Sequence, residues 1–355
     1  MRFLVAGGGT GGHLFPGLAV AQELKAAGHA VLWLGARRGL EAERVPAEGF
    51  PLTLLAVSGA VGRSRADQVG ALLRLPLAVV RAVALLLRAR IEGALVVGGY
   101  ASLPGALAAA ALGVPLVVQE QNAIPGVTTR TIAPWADALA CGFAAALRFF
   151  PSLPARVTGN PVRAEFFQVP PPPSSGGVLV LGGSQGSAVL NRTVPEAMAL
   201  LARDGVRPSV VHQAGARWAE SVTAEYRRLG VAAQVVPFLE RPAAALAEAA
   251  LVVARAGALT VSELAAARRA AVLIPFAAAA HGHQAANAAA LAETGAADVL
   301  LESEATPGRL ASLLRHRLAD PPALAGRGAA GASLARPQAA REVAALVVSC
   351  AGGAA

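Results

Sequence analysis

A chain of 355 residues is longer than one hydrophobic core usually grows, so two domains of ordinary size are expected. Its hydrophobic fraction of 55% and mean hydropathy of +0.52 raise the question of a membrane span, but no uncharged apolar run of about 20 residues occurs, which excludes one. A net charge of +9 would suit anionic partners, yet aromatics make up only 4% and neither a helix-turn-helix nor a zinc pattern occurs, so nucleic acid is not an expected partner.

Lys25 is the single lysine, so part of the basic excess reflects a compositional bias toward arginine. The opening residues lack the charged lead-in, long apolar core and cleavage site of a signal peptide, and the chain is expected to stay in the cytoplasm. Cys141 and Cys350 cannot build a disulfide framework and have no metal-type companions, so both read as inert thiols.

Short apolar runs alternate with helical patterns along the chain, the signature of parallel sheets wrapped by helices. In the first half, strands are predicted at 3–7, 30–35, 52–57, 93–99, 115–120 and 138–142. Beyond Asn160-Pro161 the stretch PPPPSSGG, 170–177, cannot be helix or central strand and reads as a linker. A second series follows at 177–183, 208–215, 233–238, 250–257, 270–276 and 296–301. A last helical pattern, about 337–348, carries apolar Val343, Ala344, Leu346 and Val347 and is expected to pack back on the first domain. The fold class is therefore α/β, with two doubly wound parallel-sheet domains whose loops face a cleft.

Each half opens with an apolar strand running into a glycine-rich turn. In the first, Gly7-Gly8-Gly9-Thr10-Gly11-Gly12-His13 fits the dinucleotide pattern G-x-G-x-x-G. Amides from Gly8 to Gly12 can approach an anion, and the helix that follows adds its positive end, although an empty strand-to-helix turn would look the same. A nicotinamide cofactor needs an acid about 20 residues on to meet its ribose. The second strand ends instead in Leu34-Gly35-Ala36-Arg37-Arg38, which disfavours NAD and leaves NADP open. His13, at the mouth of this loop, can titrate near neutrality and serve as a general base, or simply donate a hydrogen bond.

In the second half, Gly182-Gly183-Ser184-Gln185-Gly186 presents another nest of amides beside a hydroxyl. Further on, Arg255 to Glu263 supplies a glycine turn, a helix start and a carboxylate able to accept both hydroxyls of a ribose. The plainer reading is a capping box, with Thr260 as cap and Glu263 reaching back to it.

The segment from Leu72 to Arg90 places Arg74, Arg81 and Arg88 every seven residues along one helix face among many leucines and valines. It reads either as an interfacial helix on an anionic membrane surface or as a core helix covering its sheet. Pro76 suggests a kink or a helix start, and Arg63 and Arg65 add charge before it.

GGGTGGHLFPG (7–17), GGYASLPG (98–105), EQN (120–122), GNPVR (159–163), GGSQGS (182–187), RAGALTVSE (255–263) and HQAANA (283–288) together resemble the MurG family of bacterial glycosyltransferases, in order and separation. The resemblance covers nearly the whole chain. It implies the GT-B fold, with an acceptor- and membrane-binding domain at 1–160, a UDP-GlcNAc-binding domain at 161–334 and a helix at about 335–350 returning to the first. It also implies inverting transfer of GlcNAc from UDP-GlcNAc to the MurNAc 4-hydroxyl of lipid I, at the cytoplasmic face of the plasma membrane, by a peripheral protein.

Carried over residue by residue, donor contacts fall on Thr10, Gly11, Gly12, Asn122, Arg163, Ser184 and Leu239, on Ala258, Leu259, Thr260, Val261, Ser262 and Glu263, and on Gln284. Acceptor pyrophosphate is assigned to Gly8, Gly9, Gly98, Gly99, Tyr100 and Gly126. No Asp-x-Asp pattern stands in the chain, so neither metal nor cofactor is expected. His13 is the candidate base, with Glu120 a weaker one. Gln119 stands where the family usually has histidine, so no acid or base role is expected there, and Leu103 stands where it commonly has glycine, in the acceptor loop. Three alternatives remain: an NADP-dependent oxidoreductase using Arg37 and Arg38, a transferase of the same fold with another acceptor, and a non-catalytic UDP-sugar-binding protein.

Overall fold

The computed structural model describes residues 1–37, 39–57, 65–279 and 282–352. Arg38 and Arg63 lie outside the described residues, as do the side chains of Arg65 and Leu72. The chain forms two compact units, one of Met1–Arg163 with Arg336–Ala355 and one of Ala164–Ala335.

The first unit holds seven parallel strands: β1 (Arg2–Ala6), β2 (Ala30–Ala36), β3 (Leu52–Leu55), β4 (Gly93–Val96), β5 (Leu116–Glu120), β6 (Ala138–Cys141) and β7 (Ala155–Val157). Their spatial order is β3-β2-β1-β4-β5-β6-β7, so the winding reverses between β1 and β4. Helices α1 (Gly11–Ala26), α2 (Glu41–Ala47), α3 (Arg65–Ala89), α4 (Ser102–Leu112) and α5 (Val127–Ile132) connect them. β4 and β5 are buried along their whole length, which is why GALVV and PLVV read as unbroken apolar runs. β7 was not legible as a strand: it is three residues at the sheet edge, half-buried, and carries no apolar run.

The second unit has six parallel strands: β8 (Gly177–Leu181), β9 (Val210–Gln213), β10 (Gln234–Val236), β11 (Ala249–Ala254), β12 (Ala271–Leu273) and β13 (Ala297–Val299). Their order is β10-β9-β8-β11-β12-β13, with the reversal between β8 and β11. Its helices are α6 (Ala188–Arg203), α7 (Ala219–Arg228), α8 (Pro242–Ala247), α9 (Ala258–Ala266), α10 (His283–Glu293), α11 (Pro307–Leu318) and α12 (Pro321–Ala330). In open parallel sheets the space beyond the carboxyl ends of the strands at such a reversal is where ligands bind. The glycine turns beginning at Gly7, Gly98, Gly182 and Gly257 follow the strands that flank a reversal: β1 and β4, β8 and β11.

The proline-rich stretch is not the boundary between the units. It belongs to the second unit, where the carbonyl of Pro170 accepts from Nη2 of Arg269 at 2.6 Å. Arg269 is fully buried, and its Nε and Nη1 donate to the carbonyls of Leu246 and Ala267. Burial, with the neighbouring charge of Arg268, lowers its pKa to about 10. The cation therefore pins the prolines to the body of the unit.

The last helix, α13 (Ala339–Gly352), belongs to the first unit, where Val343, Ala344, Leu346 and Val347 join a core with Phe3, Val5, Leu14 and Trp33.

α3 runs through Pro76 without ending there, and it has two apolar faces. Ala78, Ala82 and Leu86 are buried and join the core beside α4. Leu73, Leu77, Val80 and Leu87 are 75%, 55%, 64% and 60% exposed, and Arg74, Arg81 and Arg88 stand exposed beside them. Spacings of four, three and seven put these four residues on one stripe. The buried side is thus the core helix that the sequence allowed, and the opposite side is an exposed apolar stripe edged by arginines. Among the described residues no helix is long and apolar enough to cross a membrane.

Candidate functional sites at the two strand reversals

In the first unit, β1 ends at Ala6 and the chain turns through Gly7, Gly8 and Gly9 to Thr10, which caps α1. Gly9 has φ +94°, a conformation only glycine adopts without strain. The buried indole of Trp33 donates to the carbonyl of Gly7 at 3.1 Å. Ser102, fully buried at the start of α4, donates to the carbonyls of Ala6 and Gly98, tying the β1 and β4 turns together.

His13 stands between these two turns. Its Nδ1 lies 3.2 Å from Oγ1 of Thr10, and its backbone N–H donates to the Thr10 carbonyl at 3.2 Å. The ring rests on the β4 turn. A Cβ on Gly98 would come 2.7 Å from His13 Cδ2, and one on Gly99 would come 2.3 Å from the Gly8 carbonyl oxygen. Tyr100 closes on the same loop, its ring 3.1 Å from where a Gly9 Cβ would stand. Thr10, His13, Gly8, Gly9, Gly98, Gly99 and Tyr100 therefore form one cluster.

The amide of Gly9, assigned to acceptor pyrophosphate, already has a partner: it donates to Oε2 of Glu41 at 3.0 Å. Glu41 is fully buried, and its Oε1 accepts from the N–H of Ala36 at 3.0 Å. The residue was not singled out from the sequence. A weak signal was present, since an acid five positions past the end of β2 falls at the start of a helix, near where dinucleotide folds keep theirs.

Glu120, the last residue of β5, is 2% exposed. Its Oε1 accepts from the N–H of Asn122 at 2.8 Å and from Asn122 Nδ2 at 3.0 Å, while Oε2 accepts from the N–H of Gly126 at 3.1 Å. Three donors on one buried carboxylate make a clamp that shapes the loop to Gly126 and orients Asn122. Next to it, Gln119 Nε2 donates to Asn160 Oδ1 at 3.2 Å, Asn160 Nδ2 to the Gln121 carbonyl at 3.0 Å, and Gln121 Nε2 to the Val97 carbonyl at 2.8 Å. This amide network joins the β5 loop to the β4 turn. Arg163, the last residue of the unit, holds its guanidinium 5.2 Å over the ring of Phe15 on α1.

In the second unit, the β8 turn is held from behind. Gly182 N–H donates to the Gln213 carbonyl at 3.1 Å, and Ser187 caps α6 by accepting from Leu190 N–H at 3.3 Å. A Cβ on Gly186 would come 2.0 Å from the Ala214 carbonyl oxygen, so only glycine permits the approach. Ser184 is left exposed at the tip. Beneath lies a closed polar group. His212 Nδ1 meets Tyr226 Oη at 3.0 Å, its Nε2 meets Asn191 Oδ1 at 3.1 Å, and Asn191 Nδ2 donates to the Ala214 carbonyl at 3.0 Å. Burial holds the His212 pKa down to about 4.

α9 begins one turn earlier than a capping box would have it. Gly257 is the cap, so Thr260 is the third helical residue and not the cap. The first N–H groups of the helix, on Ala258, Leu259 and Thr260, thus have no intrahelical partner and face outward with the positive end of the dipole. Ser262 Oγ donates to the Ala258 carbonyl at 2.9 Å, and Glu263 is half-buried one turn further on. Leu239 follows β10, half-buried.

Gln284, on the first turn of α10, accepts from Phe276 N–H through Oε1 at 2.9 Å, which leaves its amide group as the part able to meet a hydroxyl. The same loop is anchored by Glu302, whose Oε2 accepts from Ala277 N–H at 2.8 Å. Asn287 on α10 donates to the Ala256 carbonyl at 3.2 Å, joining that helix to the turn before α9. Among the described residues no cluster of three or more His, Cys, Asp or Glu is arranged to hold a metal ion.

Residues 3–141 match the N-terminal domain model of glycosyltransferase family 28 and residues 177–343 its C-terminal domain model. The chain is 42% identical over 361 residues to a UDP-N-acetylglucosamine--N-acetylmuramyl-(pentapeptide) pyrophosphoryl-undecaprenol N-acetylglucosamine transferase of Cellvibrio japonicus, covering 99% of each chain. It is 43% identical over 360 residues to the protein of the same description from Nitrosococcus oceani, again covering 99% of each. Among solved structures it is similar to Acinetobacter baumannii MurG, with a TM-score of 0.78, 31% identity and 98% of each chain covered.

Proposed function

The chain belongs to the MurG family of glycosyltransferases, and from that premise we propose how its residues divide the reaction. The enzyme transfers N-acetylglucosamine from UDP-GlcNAc to lipid I, the pyrophosphoryl-undecaprenol-linked N-acetylmuramyl-pentapeptide, and so makes lipid II. The reading of its mechanism rests above all on the start of α9, where outward N–H groups and Glu263 are held on one helix as a nucleoside diphosphate requires.

Glu263 accepts the ribose hydroxyls, and the backbone after β10 at Leu239 meets the uracil. The amides of Ala258 to Thr260, the β8 turn with Ser184, and Arg163 meet the diphosphate. Charge develops there as UDP departs, and oriented donors stabilise it. Gln284 meets the hydroxyls of the sugar. Thr10, Gly11, Gly12 and Asn122 complete the donor contacts.

The acceptor 4-hydroxyl attacks the anomeric carbon from the face opposite UDP, so the configuration inverts. Its oxygen forms the new bond as the carbon–phosphate-oxygen bond breaks, and its proton passes to His13. Thr10 holds Nδ1 of that ring and so orients the imidazole. Acceptor pyrophosphate belongs beside Gly98, Gly99 and Tyr100. Gly9 and Gly126 contribute backbone shape more than amides, because both N–H groups are held by carboxylates.

A lipid acceptor requires work at a bilayer. The exposed stripe of α3 lies among acyl chains, with Arg74, Arg81 and Arg88 at anionic head groups on the cytoplasmic face. Transfer of labelled GlcNAc from UDP-GlcNAc to a lipid I analogue tests the whole reading. Turnover of a different acceptor in its place overturns the acceptor assignment, and stabilisation by NADP without UDP overturns the donor assignment.

A further inference from the structure

We infer that Glu41 is a positioning residue for the reaction, fixing His13 through the first glycine loop; this rests on the reading of His13 as proton acceptor. The carboxylate comes from the first residue of α2, is fully buried, and divides its oxygens between Ala36 N–H at the end of β2 and Gly9 N–H in the loop. Three glycines from three segments leave room for it. A Cβ on Gly8 would come 2.3 Å from its Oε1, one on Gly39 2.2 Å from its Oε2, and one on Gly35 2.7 Å from its Cγ. The socket is shaped to a carboxylate in one place.

In dinucleotide-binding sheets, the amides of this loop meet a pyrophosphate and an acid past the second strand meets a ribose. Here the acid past the second strand turns inward and takes a loop amide itself. The loop is thus organised by an anion of its own chain, before any ligand arrives. The effect passes along hydrogen bonds joined by one peptide link. Glu41 holds Gly9, the neighbour of Thr10, and Thr10 holds His13 at both its backbone N–H and its Nδ1. A neutral amide at position 41 would set an NH₂ donor against one of the two N–H donors, and the loop would have to move.

The test compares Glu41→Gln, His13→Ala and the double variant in the full-length enzyme with UDP-GlcNAc and a lipid I analogue. Glu41→Gln is expected to lower kcat about a hundredfold, the scale of a misplacement of about 1 Å. Its affinity for UDP, measured by calorimetry, is expected to fall far less than kcat, because the contacts proposed for ribose and uracil lie in the second unit. The double variant should be no slower than His13→Ala alone. Losses that multiply in the double variant overturn the inference.

The ¹⁵N resonances of the His13 ring supply a reading independent of turnover. They are expected to move in Glu41→Gln, and their staying in place overturns the inference. Should His13→Ala keep the parent kcat, the base reading fails and these resonances alone decide the positioning claim. Should Glu41→Gln not fold, Glu41→Asp, which keeps the charge and loses the reach, is measured in its place with the same readings.

Discussion

The guanidinium of Arg255 and the carboxylate of Glu302 meet at 2.5 Å across the ends of β11 and β13, both largely shielded from water. Arg255 Nη1 also donates to the Ile274 carbonyl at 3.0 Å, so the pair anchors the loop that presents Phe276 to Gln284. Removing one partner leaves a charge poorly compensated, which costs about 3 kcal/mol. Glu302→Ala is therefore expected to lower the urea midpoint of the second unit and to raise the KM for UDP-GlcNAc as the Phe276 loop loosens. Donor KM unchanged in a destabilised variant would remove the link between this pair and the sugar site.

His212 makes the second unit sensitive to acid. Its folded pKa is depressed to about 4 by burial, while in the unfolded chain it takes its proton near the ordinary 6.5. The unfolded state therefore binds more protons throughout that window, and the stability present above pH 6.5 is lost as pH falls toward 4. The full contribution is on the order of 3 kcal/mol. Equilibrium unfolding between pH 7 and 4 should show a steeper loss in the parent than in His212→Gln; equal slopes would refute the assignment.

The two proposed sites should respond differently to substitution. Glu263→Ala is expected to weaken UDP binding about tenfold or more, because the ribose loses a charged acceptor. His13→Ala is expected to lower kcat by about a hundredfold or more while donor affinity changes little. Calorimetry with UDP and steady-state kinetics with a lipid I analogue separate the two effects. Unchanged kinetics in His13→Ala would end its candidacy as base.

The stripe on α3 offers a test of membrane docking without loss of fold. Leu77→Asp and Val80→Asp alter exposed positions, so stability should stay within about 0.5 kcal/mol of the parent. Flotation with phosphatidylglycerol vesicles should show weaker binding for both, and turnover of a short-chain soluble acceptor should be unaffected. Ala82→Asp, on the buried side of the same helix, is expected to unfold the first unit. Vesicle binding that survives both exposed substitutions would place the membrane contact elsewhere.

Much of this architecture was readable before any coordinates. Twelve apolar runs were expected as strands, and each is one in the structure; in the central strands, covered on both faces, burial is written directly into consecutive residues. The glycine turns were equally visible. Gly9, Gly98 and Gly183 all adopt positive φ, a demand that only glycine meets cheaply. The short edge strand Ala155–Val157 was not visible, since an edge needs few apolar residues and three positions give no period. The plainer reading of Thr260 as a helix cap does not hold, because Gly257 and Thr260 both satisfy the local requirements of a helix start and the backbone chooses Gly257.

By itself, then, the sequence determined the strand and helix alternation, the glycine turns and the family to which they belong, since periodicity, φ demand and motif order are properties of neighbouring residues. The tertiary structure alone decided which partner each polar group found. Glu41 reaches Gly9 across 32 positions of chain, Arg255 reaches Glu302 across 47, and Glu120 clamps the loop to Gly126. It also split one apolar helix into a core face and an exposed face. Such pairings depend on which segments the winding of the sheet brings together at its reversal, and a buried donor must be satisfied by whatever acceptor arrives there.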